Sequence, residues 1–135
     1  GTFIQFTKHT HVPGSVIYMA PECFNAPQEV GEKCDVFSLA MVWWECYAGE
    51  EPWDELPNPI AVVNAVAVKD RRPQIPDGMM PPQVSKLIAK CWDTDYHKRP
   101  SCAEIKKLCA LMRDDLLAES RNGHLTPSGQ GSRTV

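Results

Sequence analysis

The chain has 135 residues, 43% of them hydrophobic and 23% charged, with a formal net charge of -3. This is the balance of one soluble globular domain, large enough to bury a core without disulfides or metals. The slight negative charge leaves no footprint for nucleic acid, no apolar run approaches the roughly 20 residues that cross a bilayer, and no basic start with an apolar core marks a secretory leader.

In chain order, residues 1–13 are polar and hydroxyl-rich, without a sustained period. Cys34 to Tyr47 then leaves almost no polar face, which predicts a helix buried all round. Gly49 suits its C-terminal stop. Asn58-Pro59 offers an N-cap followed by proline at the first helical position. The valines of 60–68 allow a strand, but three alanines and the cap favour a helix. Pro73, Pro76, Pro81 and Pro82 mark a loop. Val84, Leu87, Ile88 and Cys91 then fall on one face of a helix. Ser101-x-x-Glu104 reads as a capping box for a last helix with Ile105, Leu108, Cys109, Met112 and Leu116 on its core face. Beyond about Glu119 the chain turns to Gly, Ser, Pro and Arg and is expected to be a disordered tail. Thr126-Pro127 in that tail reads as solvated linker.

The six cysteines (Cys23, Cys34, Cys46, Cys91, Cys102, Cys109) contain no C-x-x-C, and His9, His11, His97 and His124 do not fall at zinc-ligand spacing beside them. Reduced thiols packed in a cytoplasmic protein are the expectation, with no metal site. His9-x-His11 supplies only two ligands in a polar loop.

Three motifs stand out in order along the chain: Gly14-Ser15 followed by Met19-Ala20-Pro21-Glu22, then Asp35-Val36-Phe37-Ser38, then Cys91-Trp92-Asp93-Thr94-Asp95-Tyr96-His97-Lys98-Arg99-Pro100. Together they resemble the activation-segment end (A-P-E), the buried-helix start and the late C-W-x-x-D-P-x-x-R-P signature of the protein kinases. Tyr96 stands where that family usually has proline, a change a loop tolerates. The resemblance covers roughly residues 14 to 112. It implies a mainly α fold, the helical C-lobe of a protein-kinase-like domain. The N-lobe, the catalytic loop and most of the metal-binding motif would be absent, because none of them fits into the 13 residues before Gly14. The implied organisation is an activation-segment remnant at 1–13, a C-lobe subdomain at 14–119 and a tail at 120–135.

By the same resemblance Glu22 pairs with Arg99 as a structural ion pair, and Asp35 is a helix-start anchor that in the family meets the catalytic loop. Gly14 and Ser15 belong to the substrate platform and lean the assignment towards serine/threonine kinases. Glu32 to Ser38, Trp53-Asp54-Glu55 and Cys91-Trp92 are most similar to the tyrosine-kinase-like branch, and within it to the transforming-growth-factor-β-activated group of mitogen-activated kinase kinase kinases. Thr7 and Thr10 lie at the offsets of that group's two activation-loop phosphosites, and phosphorylation there adds charge that arginines can order.

The implied activity is phosphoryl transfer from ATP, with Mg, to protein serine or threonine in the intact parent. The chain alone is expected to be inactive, with no catalytic residue of its own and no ATP or metal bound. Its partners would be protein substrates and regulatory proteins. The competing reading is a natural non-catalytic or pseudokinase C-lobe acting as an interaction or decoy module through residues 60–68 and the nearby Trp53. In either reading the central helix would expose apolar surface where the missing catalytic loop and small lobe pack, making the lone chain prone to aggregate or dependent on chaperones.

Overall fold

The computed structural model describes residues 16–123. Thr7, Thr10, Gly14, Ser15, His9, His11, His124 and Thr126 therefore lie outside the described residues. The chain divides into two compact units, Gly1–Cys102 and Ala103–Val135.

In the first unit the helices are α1 (Glu22–Asn25), α2 (Glu32–Ala48), α3 (Pro59–Val63) and α4 (Pro82–Cys91), and α3 continues as a π-helical segment at Asn64–Val68. Short 3-10 turns occupy Val16–Tyr18, Pro27–Glu29 and Tyr96–Lys98. No strand occurs among the described residues, in keeping with the mainly α expectation.

Local chemistry sets most of these boundaries. The Asn58 side chain accepts from the backbone N–H of Ala61 at 2.8 Å, capping α3 with Pro59 as its first residue. Gly49 ends α2 in the left-handed region at φ 72°, its N–H donating to the Glu45 carbonyl. The valines of 60–68 are helical, so the cap outweighs β-propensity here. After the π segment Asp70 adopts φ 51°, and the Arg71 N–H reaches back to the Ala65 carbonyl at 2.8 Å.

The core gathers around α2, which packs against α4 and the Val16–Tyr18 turn. Val36, Phe37, Ala40, Met41 and Trp44 of α2 are buried, as are Val84, Leu87, Ile88 and Cys91 of α4. The helix is not buried all round, however. Asp35, Leu39, Val42 and Cys46 are exposed and recur at i, i+4, i+7 and i+11, a single solvent-facing stripe. Composition showed that the helix is apolar; only its neighbours decide which faces they cover.

The second unit's helix, α5 (Cys102–Gly123), begins directly after Ser101, the expected cap position, and runs past Glu119. Of its expected core face Ile105 is buried, while Cys109 and Met112 are half-buried and Leu108 and Leu116 are exposed. Helical spacing predicts a stripe but not the cover over it.

Candidate functional site

Glu22 opens α1 directly after Pro21, where a carboxylate favours the positive end of the helix. Arg99 lies 77 positions away, just after the Tyr96–Lys98 turn. Asp95 shapes that turn: its side chain accepts from the His97 N–H at 3.0 Å, and its own N–H donates to Oδ1 of Asp93 at 2.9 Å. Tyr96, the departure from proline, begins the turn and donates from its hydroxyl to Oε2 of Glu29 at 3.3 Å.

The structure brings the two charges together. Arg99 donates from Nη1 to Oε1 of Glu22 at 2.6 Å and from Nη2 to Oε2 at 2.9 Å, a two-pronged grip. Nη1 also donates to the Lys33 carbonyl at 2.9 Å, and Nε to the Asp93 carbonyl at 2.8 Å. Lys33 returns the contact by donating from Nζ to the Arg99 carbonyl. Arg99 is 1% exposed and Glu22 6%, so the pair is desolvated and depends on this near-complete hydrogen bonding.

Arg72, which the sequence did not single out, completes the cluster over Phe37 of the second motif. The guanidinium carbons of Arg99 and Arg72 lie 5.1 and 5.0 Å from the centroid of the fully buried Phe37 ring. Arg72 donates from Nε to the Trp92 carbonyl at 2.8 Å and from Nη2 to Thr94 at 3.1 Å, and pairs with Asp70 at 3.1 Å. Burial pushes the Arg72 pKa down and the nearby Arg99 charge adds to this, against the opposing pull of Asp70. An Arg-Arg-Pro run in a loop carries no local sign of such a role, because Trp92 and Thr94 lie 20 and 22 residues away.

Above this anchor, the turn before Ala20-Pro21 is tied to α2. Ser38 Oγ donates to the Tyr18 carbonyl at 2.8 Å, and the Tyr18 hydroxyl donates to Oε2 of Glu45 at 2.7 Å. The Glu45 hydrogen bond, followed by burial and the Glu45 and Glu51 charges, pushes the Tyr18 pKa up to about 12. Asp35 lies in the first turn of α2 on the exposed stripe, where its Oδ1 takes a 3.9 Å contact from the Cys34 thiol.

A cavity of about 550 Å³ opens beside α2, lined by residues that include Trp44, Trp53, Arg71 and Arg72. Glu50, Glu51, Asp54 and Glu55 also line it. Its four carboxylates outnumber the two arginines, a balance that disfavours a triphosphate, and among the described residues no group of three or more His, Cys, Asp or Glu could hold a metal ion. Trp53, expected at a partner surface, is instead 3% exposed, with φ 65° and the Arg71 guanidinium 5.6 Å above its ring. Its place beside residues 60–68 suggested a surface, but the loop folds it into the core.

Residues 4–109 match the protein-family profile described as protein tyrosine and serine/threonine kinase. Human mitogen-activated protein kinase kinase kinase 7 is 37% identical over 116 residues, 84% of this chain and 19% of that protein. A probable serine/threonine-protein kinase of Arabidopsis thaliana, SIS8, is 45% identical over 93 residues, 68% of this chain and 9% of its own length. The dual specificity protein kinase shkB of Dictyostelium discoideum is 39% identical over 112 residues, 79% of this chain and 17% of its own length. The chain thus spans less than a quarter of each of these relatives.

Proposed function

The chain belongs to the protein tyrosine and serine/threonine kinase family, and from that premise we propose that it is the helical lobe of a serine/threonine kinase of the mitogen-activated kinase kinase kinase type. The intact parent transfers a phosphoryl group from ATP, with Mg, to serine or threonine of cytoplasmic signalling proteins. This chain supplies no phosphoryl-transfer machinery of its own and is inactive alone. Its part is to hold the substrate platform that begins at Gly14 and Ser15, with Thr7 and Thr10 as the phosphosites of the preceding segment.

The buried two-pronged Glu22–Arg99 pair carries this reading. It ties the end of the platform to the loop before the last helix, so the platform cannot shift without stranding a buried charge. The test is phosphate transfer from labelled ATP to a protein substrate by the full-length parent and, in parallel, by this chain. Transfer to serine or threonine by the parent, and none by the chain, is the expected result. A parent that binds no ATP and transfers nothing would overturn it.

One observation favours the second reading, an interaction module. Ile60 and Val68, on α3 and the π segment that follows it, are 77% and 74% exposed, far more than apolar residues of a closed surface need be. Ile60→Ser with Val68→Ser abolishes partner capture and leaves phosphate transfer unchanged if this surface docks a regulator. Unchanged capture rules the surface out.

A further inference from the structure

Nη1 of Arg99 donates at once to Glu22 at 2.6 Å and to the Lys33 carbonyl at 2.9 Å. Cys23 follows Glu22 directly, and Cys34 follows Lys33. One guanidinium nitrogen therefore draws together the two chain segments that carry these cysteines, at the starts of α1 and α2. Both thiols are free and half-buried. We propose that Cys23 and Cys34 form an oxidisable dithiol that closes to a reversible disulfide beside the Glu22–Arg99 pair.

The chemistry of the pair sets the order of events. Burial, followed by the charges of Cys23, Asp35 and Glu22 and a side-chain hydrogen bond with Cys23, raises the Cys34 pKa. Burial disfavours the Cys34 thiolate, so the first attack on an oxidant is assigned to Cys23. With hydrogen peroxide as oxidant, the Cys23 thiolate takes one peroxide oxygen and the O–O bond breaks. This leaves a sulfenic acid on Cys23 and, with a proton, releases water. The Cys34 sulfur then displaces the hydroxyl, the S–S bond forms, and the Cys34 proton leaves with that hydroxyl as a second water. Two thiols lose two electrons and one peroxide becomes two waters. A thiol reductant reverses the bond by exchange.

Of the other cysteines, Cys46 and Cys102 are exposed, Cys91 is buried in the core, and Cys109 is half-buried on α5, a segment that Arg99 does not hold. A bond between Cys23 and Cys34 would staple α1 to the first turn of α2, where Glu22 and Lys33 share Arg99. Transient disulfides of this kind are the ones a reducing compartment permits.

Lys33 makes the test direct, because trypsin cuts between the two cysteines. Replacing exposed Cys46 by serine (Cys46→Ser) leaves Cys34 as the sole cysteine of its tryptic peptide. The full chain carrying that change is treated with hydrogen peroxide at a dose that oxidises exposed Cys102. Remaining thiols are then blocked, and the digest is weighed with and without dithiothreitol. The expected result is the peptide His9 to Lys33 joined to the peptide Cys34 to Lys69, lighter by two hydrogens than their sum and separated by the reductant. Separate peptides, each blocked at its own thiol or irreversibly oxidised, overturn the proposal.

Discussion

Arg99 closes on Glu22 with hydrogen bonds of 2.6 and 2.9 Å, in a site where the arginine side chain has no solvent exposure and the glutamate 6%. A buried ion pair adds little over a well-packed apolar pair, but losing one partner leaves the other charge uncompensated. Glu22→Gln or Arg99→Ala is therefore expected to cost about 3–5 kcal/mol in urea unfolding. Arg99→Lys should not restore the loss, because an ammonium cannot repeat the two-pronged grip or the bonds to the Lys33 and Asp93 carbonyls. A loss below about 1 kcal/mol, the range of exposed pairs, would contradict the buried geometry.

Tyr18 gives a pH signature. Its folded pKa, about 12, lies above the ordinary 10.0. Above the unfolded pKa the folded state therefore holds the proton more tightly than the unfolded state does. The contribution is fully present below pH 10 and is lost as pH rises towards 12. Melting temperatures across that window should fall more steeply for the wild type than for Tyr18→Phe. Parallel curves would show that the Glu45 hydrogen bond does not govern the ionisation of Tyr18.

Phe37 lies under two guanidinium groups, from Arg72 and Arg99, each about 5 Å from the ring centroid. Phe37→Leu keeps an apolar side chain but removes the π face. It is expected to cost about 1–3 kcal/mol, the ring attraction plus imperfect repacking. Combining it with Arg72→Met in a double-mutant cycle should give a coupling of at least about 0.5 kcal/mol. Simple additivity would mean that the ring and Arg72 do not interact.

At the end of α2, Gly49 has φ 72°, and a Cβ placed there meets nothing within 4 Å. Gly49→Ala therefore tests backbone conformation without a clash. It should destabilise by about 1–2 kcal/mol, and Gly49→Asn by less, since asparagine tolerates the left-handed region better. Denaturant midpoints of the two variants check this order; equal loss for both would argue that the cap is not left-handed in solution.

The sequence by itself determined what depends on neighbours a few residues apart. The cap at Asn58, the stop at Gly49 and the Val84, Leu87, Ile88, Cys91 face are set by hydrogen bonds and spacing within one or two turns, so they could be read directly. The family motifs also named Glu22 and Arg99, though spacing alone gives no reason for residues 77 apart to meet. Tertiary structure decided the rest. It buried Trp53, left Leu39 and Val42 in solvent, set Arg72 and Arg99 on Phe37, and brought the Glu22 carboxylate and the Lys33 carbonyl onto one guanidinium. Burial and pairing at these positions belong to the far side of a contact, and a periodic pattern on one segment carries no information about which segment comes to cover it.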